Sequence, residues 1–231
     1  MLTFLGYTLV FLALLVSLYL VIRPAASSQP FLRTAAMGTQ SSPFLLLSLS
    51  FLLEATSLDL VSSYVGEGLP LLYRISAVWG SRSGPLLMWA SMMSVIAWLM
   101  SRDRTTDGAT IRIMHLWTFL LLLISAGLRP FSPAIPGSAG EISPLLQTDL
   151  MVIHPPVVFV YYSLCLATAS IAVSGLIRSR PSNETHASMI PWARYSFLAG
   201  TIGIGLGGLW AYTVLDWGGY WAWDPVETGS L

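Results

Sequence analysis

An all-α polytopic membrane protein is the fold class this sequence predicts, and three observations carry that reading. Hydrophobic residues make up 55% of the 231 positions, charged residues only 10%, and the mean hydropathy is +0.70. Globular domains carry about 25% charged residues, so this chain is composed for an apolar solvent. The apolar residues also gather into runs close to the ~20 residues that a bilayer span needs. Finally, the basic residues fall unevenly between the segments joining those runs. All eleven are arginine, balanced by eleven acidic residues, and zero net charge argues against a nucleic-acid partner. Cys165 stands alone inside an apolar run, which excludes an intrachain disulfide and a cysteine metal site.

About six transmembrane helices are expected in a single membrane domain over residues 1–231. The first, Leu2–Ile22, follows Met1 with no basic residue before it, so it reads as a span and not as a cleaved signal. Pro43–Tyr64 is second, interrupted by Glu54 and Asp59. Pro85–Met100 and Ile113–Leu128 are short and borrow residues from their flanks. Val152–Ile177 and Tyr195–Leu215 complete the set. Segments after the first, third and fifth spans carry Arg23, Arg33, Arg102, Arg104, Arg112, Arg178, Arg180 and Arg194. The opposite side carries only Arg74, Arg82 and Arg129. That asymmetry puts the first group inside, and residues 65–84, 129–151 and 215–231 outside. Prolines 130, 133 and 136 bar a helix after Arg129, so an extended outer strap is expected there.

Two outer features carry candidate chemistry. His154 precedes Pro155 and Pro156, and proline suits a first helical turn, which places His154 at or near the N-cap of span five. A helix N-terminus disfavours the imidazolium, and neutral imidazole is the form that ligates a metal or haem iron. A capping or interfacial histidine is the plainer reading. The other feature is the tail, where Trp217, Tyr220, Trp221 and Trp223 surround Gly218-Gly219. An aromatic belt accounts for one or two such rings; this density also suits a shelf for a flat macrocycle. Asp224-Pro225-Val226-Glu227 then has the form of a helix start, so the structure is expected to continue in a second chain or beyond a truncation. Gly203 and Gly207 form a G-x-x-x-G suited to close helix packing. Glu54 and Asp59 read equally as functional intramembrane groups or paired structural carboxylates.

The run from Trp217 to Glu227 resembles the tryptophan-rich WWD signature of haem-handling proteins of cytochrome c assembly, and within them the CcmF/NrfE haem lyase family. Leu69–Gly80, Leu86–Trp89, Arg129-Pro130-Phe131, Ser143–Gln147 and Ile153-His154-Pro155-Pro156 are similar to further family segments in the same order. The resemblance implies that haem b arrives from a haem chaperone and is held between two outer histidines over the shelf. Its vinyl groups are then joined to the Cys-x-x-Cys-His thiols of apocytochrome c, which works with a thiol-reducing partner. His154 would be one axial ligand of the haem iron. The shelf would be Trp217, Gly218, Gly219, Tyr220, Trp221, Trp223 and Asp224, with Arg82 and Arg129 as candidate propionate contacts. Gly80-Ser81-Arg82-Ser83-Gly84 departs from the family's usual Gly-x-His-Glu-Gly, and snorkelling is the plainer role for Arg82.

Two function classes follow. One is the N-terminal subunit of a split CcmF-like haem lyase, working with a second chain that carries the C-terminal part; no nucleophile comes from this chain. The other is a non-catalytic structural or assembly subunit of a larger, respiratory inner-membrane complex. A haem-delivery protein fits poorly, for no histidine follows Trp223, and a transporter fits poorly without an inverted repeat. The expected setting is membrane lipid of the mitochondrial inner membrane, with the WWD segment facing the intermembrane space. The alternative is a bacterial inner membrane with that segment on the periplasmic face.

Overall fold

The computed structural model describes residues 1–66, 68–103, 106–137, 139–214, 219, 221, 223 and 228–229. Among the described residues eight α-helices carry the fold: α1 Leu2–Ile22, α2 Pro30–Leu52, α3 Asp59–Tyr64, α4 Leu71–Gly80, α5 Gly84–Met100, α6 Gly108–Gly127, α7 Asp149–Ile177 and α8 Ser182–Val214. Four of them, α1, α6, α7 and α8, are long and apolar enough to cross a membrane. A fifth span arises if α4 and α5, bent by 89° at Ser81–Ser83, count as one. At 23 residues α2 is also long enough, about 34 Å. It is less apolar because its inward face carries Gln40 and Ser41, both buried. Successive long helices alternate in direction, so Arg23, Arg102, Arg178 and Arg180 share one arginine-rich end.

Span two needs correction. The expected segment Pro43–Tyr64 is two helices, with α2 beginning at Pro30 and stopping at Leu52. Glu54 takes a left-handed conformation, φ 51°, which ends the helix, and Pro43 lies inside α2. Hydropathy missed Pro30–Ser42 because its polar side chains find partners inside the bundle. Gln40 Nε2 lies 2.9 Å from Ser17 Oγ of α1 and 3.2 Å from His115 Nδ1 of α6, and Ser41 Oγ lies 2.9 Å from Ser94 Oγ of α5. Span six likewise starts thirteen residues before Tyr195, at Ser182, on a polar stretch that runs through Pro191.

Glu54 and Asp59 flank the break and are paired. Arg74 of α4 forms an ion pair with Glu54, and Arg82 Nη2 donates to Asp59 Oδ2 at 2.8 Å. These carboxylates fix the α4–α5 corner to the α2–α3 break, the structural alternative raised by the sequence.

The strap is extended and anchored. Asp59 N–H donates to Ser132 O and Ala134 N–H to Ser57 O, both at 2.9 Å, which lays residues 132–134 antiparallel to 57–59. Phe131 is fully buried, and its ring occupies the space where a Cβ on Gly6 of α1 would stand. Only glycine at position 6 lets the ring seat there. Tyr7 meets Phe131 edge-on, with ring centroids 6.3 Å apart.

At the arginine-rich end Asp107 caps α6. Its carboxylate accepts from the N–H groups of Ala109 and Thr110, from the Thr110 hydroxyl, and from Ser174 Oγ of α7 at 2.7 Å. Arg180 Nη1 stands 3.5 Å away. Burial acts to raise the Asp107 carboxyl, but these hydrogen bonds outweigh it and hold the group below the ordinary carboxylate range.

Candidate functional site

The α7–α8 seam is built on α8 glycines that meet α7 side chains, Gly200, Gly203 and Gly207, with Trp210 continuing the same face. Gly203, Gly207 and Trp210 recur at i, i+4 and i+7 on α8, one face of a helix. Opposite them, α7 runs antiparallel and presents Val158, Val157 and His154. A Cβ at Gly203 would come within 3.3 Å of Val158 Cγ2, and one at Gly207 within 2.8 Å of His154 Cε1. The G-x-x-x-G therefore serves close packing, as expected, and the side chain it accommodates is His154.

His154 is not at the N-cap. Thr148 occupies that position, accepting from Met151 N–H at 3.2 Å, and α7 starts at Asp149. The histidine lies in the second turn, with Pro155 and Pro156 inside the helix. Without an N–H, Pro155 cannot satisfy the carbonyl four residues back, and its ring pushes that carbonyl aside. The carbonyl is Met151 O, and it accepts instead from Trp79 Nε1 of α4 at 2.7 Å. The proline pair thus ties the start of α7 to α4, close to the histidine.

The imidazole is held on one side. His154 Nδ1 lies 2.9 Å from Gly203 O, and a carbonyl only accepts, so Nδ1 carries the proton. Nε2 is left with its lone pair and has no hydrogen-bond partner among the described residues. The Trp210 ring lies beside it, centroid to centroid 6.3 Å, tilted by 31°. A half-buried neutral imidazole whose outer nitrogen is anchored to a carbonyl has the form of an axial ligand. Two buried indole N–H groups, Trp210 Nε1 and Trp221 Nε1, have no partner among the described residues. An acceptor group beside His154 would satisfy the Trp210 N–H, so the His154–Trp210 pair fits haem.

Part of the tail falls outside the described residues: Trp217, Gly218, Tyr220 and Asp224. Gly219, Trp221 and Trp223 are described, and Trp221 meets Trp223 edge-on at 6.0 Å and 84°. Trp223 is exposed and has a φ of 57°. Arg82, a candidate propionate contact, is engaged with Asp59. Arg129, the other, lies on the α1–α6 side beside Tyr7, Ala126, Ser132 and Pro133. The sequence reading missed the roles of Gly203 and Trp210 at His154. Their i, i+4, i+7 spacing was the available signal, but nothing local said which side chain they face.

Residues 79–231 match the family described as cytochrome C assembly protein. The cytochrome c-type biogenesis protein NrfE of Haemophilus influenzae is 33% identical over 196 residues, 80% of this chain and 31% of that protein. The cytochrome c-type biogenesis protein CcmF of Escherichia coli is 31% identical over 218 residues, 90% of this chain and 34% of that protein. The chain thus spans about a third of the length of these relatives. A solved structure titled cytochrome c heme lyase CcmF superposes on the whole chain with a TM-score of 0.78 at 24% identity, and 39% of that protein is covered. At that identity the likeness is one of fold.

Proposed function

The chain belongs to the cytochrome c assembly protein family, and from that premise we propose that it is the N-terminal, haem-positioning part of a CcmF-like haem lyase. The observation that carries the reading is the 2.9 Å contact of His154 Nδ1 with Gly203 O, which leaves Nε2 as the ligating atom. When bound, haem supplies the vinyl groups to which the thiols of apocytochrome c add, each addition forming a C–S bond and placing the thiol hydrogen on the neighbouring vinyl carbon. Everything else this chain contributes is placement. The Gly203 carbonyl fixes the tautomer and orientation of His154. Trp210, Trp221 and Trp223 offer aromatic surface for a macrocycle and keep water away.

A second chain carrying the C-terminal part of the family completes the assembly in this proposal, with a haem chaperone as donor and apocytochrome c as acceptor. Support comes from α8, which packs chiefly on α7 and leaves Phe197, Leu198, Ile202, Leu209 and Tyr212 exposed. The arginine-rich end lies inward in the inner membrane. In a mitochondrion His154 then faces the intermembrane space, and in a bacterium the periplasm.

The Arg82–Asp59 pair favours a second reading, a non-catalytic assembly subunit of a larger respiratory complex, because it commits to structure the position where the family usually carries a histidine. Affinity purification of the native assembly separates the two. The first reading expects haem, a haem chaperone and loss of cytochrome c maturation in His154→Ala. Respiratory subunits without haem, or unchanged maturation in that variant, would establish the second.

A further inference from the structure

A cavity of ≈590 Å³ opens at the arginine-rich end, remote in the sequence and along the helices from His154. The turn Pro24–Ser28, the start of α2, the end of α5 and the start of α6 enclose it. Ser27, Ser28, Arg33, Arg102, Asp103 and Thr106 provide its polar lining. Among the described lining residues two guanidinium groups stand against one carboxylate, a cationic balance.

Arg33 is the central group. Its Nη1 donates to Ser101 O at 2.7 Å, which fixes the guanidinium at the cavity wall, while its Nε is buried with no partner among the described residues. A buried guanidinium N–H without an acceptor is costly, and an anion in the cavity would supply one. Arg102 is stacked over the Trp98 ring at 4.7 Å, and Trp98 Nε1 is tied to Thr34 Oγ1 at 3.2 Å, so the second cation is also held in place.

We propose that this cavity binds a phosphate-bearing anion, with the headgroup of an anionic membrane phospholipid as its source. Guanidinium forks match the many acceptor oxygens of a phosphate, while the hydroxyls of Ser28 and Ser101 donate to Ala25 O and Trp98 O within the wall. The level is right for a headgroup, because the cavity sits where α1 and α5 end and α2 and α6 begin, at the boundary of the apolar spans. Apolar residues continue from its rim. Ile22 is 61% exposed and Phe31 80% exposed, offering acyl chains a surface beside the cationic pocket. Basic pockets between helices at the inward face are suited to acidic headgroups.

The test uses the purified full chain in detergent, with native mass spectrometry and thermal unfolding. Phosphatidylglycerol, phosphatidylcholine and inorganic phosphate are the three probes. Wild type is expected to retain phosphatidylglycerol at least about fivefold more than phosphatidylcholine, a little over 0.9 kcal/mol in affinity. Arg33→Gln and Arg102→Gln are expected to abolish that preference, and Arg194→Gln, an exposed arginine elsewhere, to keep it. Because Arg33→Gln also removes the Ser101 contact, Arg102→Gln and Arg33→Lys separate folding from binding, the lysine retaining part of the preference. Stabilisation by inorganic phosphate that depends on Arg33, without lipid preference, supports the site and assigns it a soluble source. A preference unchanged in both glutamine variants, or no preference and no phosphate effect in wild type, overturns the proposal.

Discussion

Trp79 and Pro155 make an energetic claim that a double-mutant cycle can measure. Trp79 Nε1 donates at 2.7 Å to the Met151 carbonyl, which receives no helical hydrogen bond from Pro155 because proline has no N–H. Trp79→Phe removes that donor and strands a carbonyl on a residue that is 7% exposed. A net hydrogen bond is worth about 0.5–1.5 kcal/mol, and stranding a buried partner raises the cost to about 1–3 kcal/mol. In a Pro155→Ala background, the new N–H at 155 can reach Met151 O within the helix, so the same Trp79→Phe change leaves nothing stranded. Loss of the indole's extra ring surface is common to both backgrounds and cancels in the cycle. The expected coupling energy is therefore about 1–2 kcal/mol, read by equilibrium unfolding in mixed micelles. Additivity within about 0.5 kcal/mol would refute the idea that the proline frees the carbonyl for Trp79.

Other parts of the fold give equally direct expectations. Phe131→Ala empties a fully buried site and should cost about 3–5 kcal/mol. Gly6→Ala, whose Cβ collides with the Phe131 ring, should destabilise wild type by about 1–3 kcal/mol yet be nearly neutral beside Phe131→Ala. Asp107 gives a pH dependence whose sign is set by its depressed folded value: the contribution is complete above the unfolded value near 3.9 and is lost as pH falls through the lower folded one. Unfolding curves from pH 7 to 3 should thus show a flat contribution down to about pH 5, then a loss that Asp107→Asn abolishes while costing about 1–2 kcal/mol at pH 7. Gly207→Ala places a Cβ within 2.8 Å of His154 Cε1 and should lower haem occupancy of the native assembly about tenfold. Gly205→Ala, whose Cβ meets open space, should leave occupancy unchanged.

How far the sequence foretold this structure depended on whether each feature was local. Helix α1 has the expected bounds because nothing charged interrupts Leu2–Ile22. The start of α2 was hidden because Gln40 and Ser41 look like loop residues until Ser17, His115 and Ser94 are brought to them from other helices. Prolines 155 and 156 read as a helix start, since a local rule cannot know that Trp79 will take over a freed carbonyl. At the site, the G-x-x-x-G spacing foretold close packing, and His154 stood out as a ligand candidate. Their meeting spans 49 positions and is fixed by the antiparallel docking of α7 and α8. The pairs Arg82–Asp59 and Arg74–Glu54 were likewise invisible, because the break at Glu54 that brings them together was counted inside a span.

The most direct measurement concerns Nε2 of His154. Haem spectra of the native assembly should change its axial-ligand signature in His154→Gly, and added imidazole should restore it, since the cavity left beside Gly207 admits the free ring. A haem spectrum identical in wild type and His154→Gly, with or without imidazole, would contradict the claim that this histidine holds the haem.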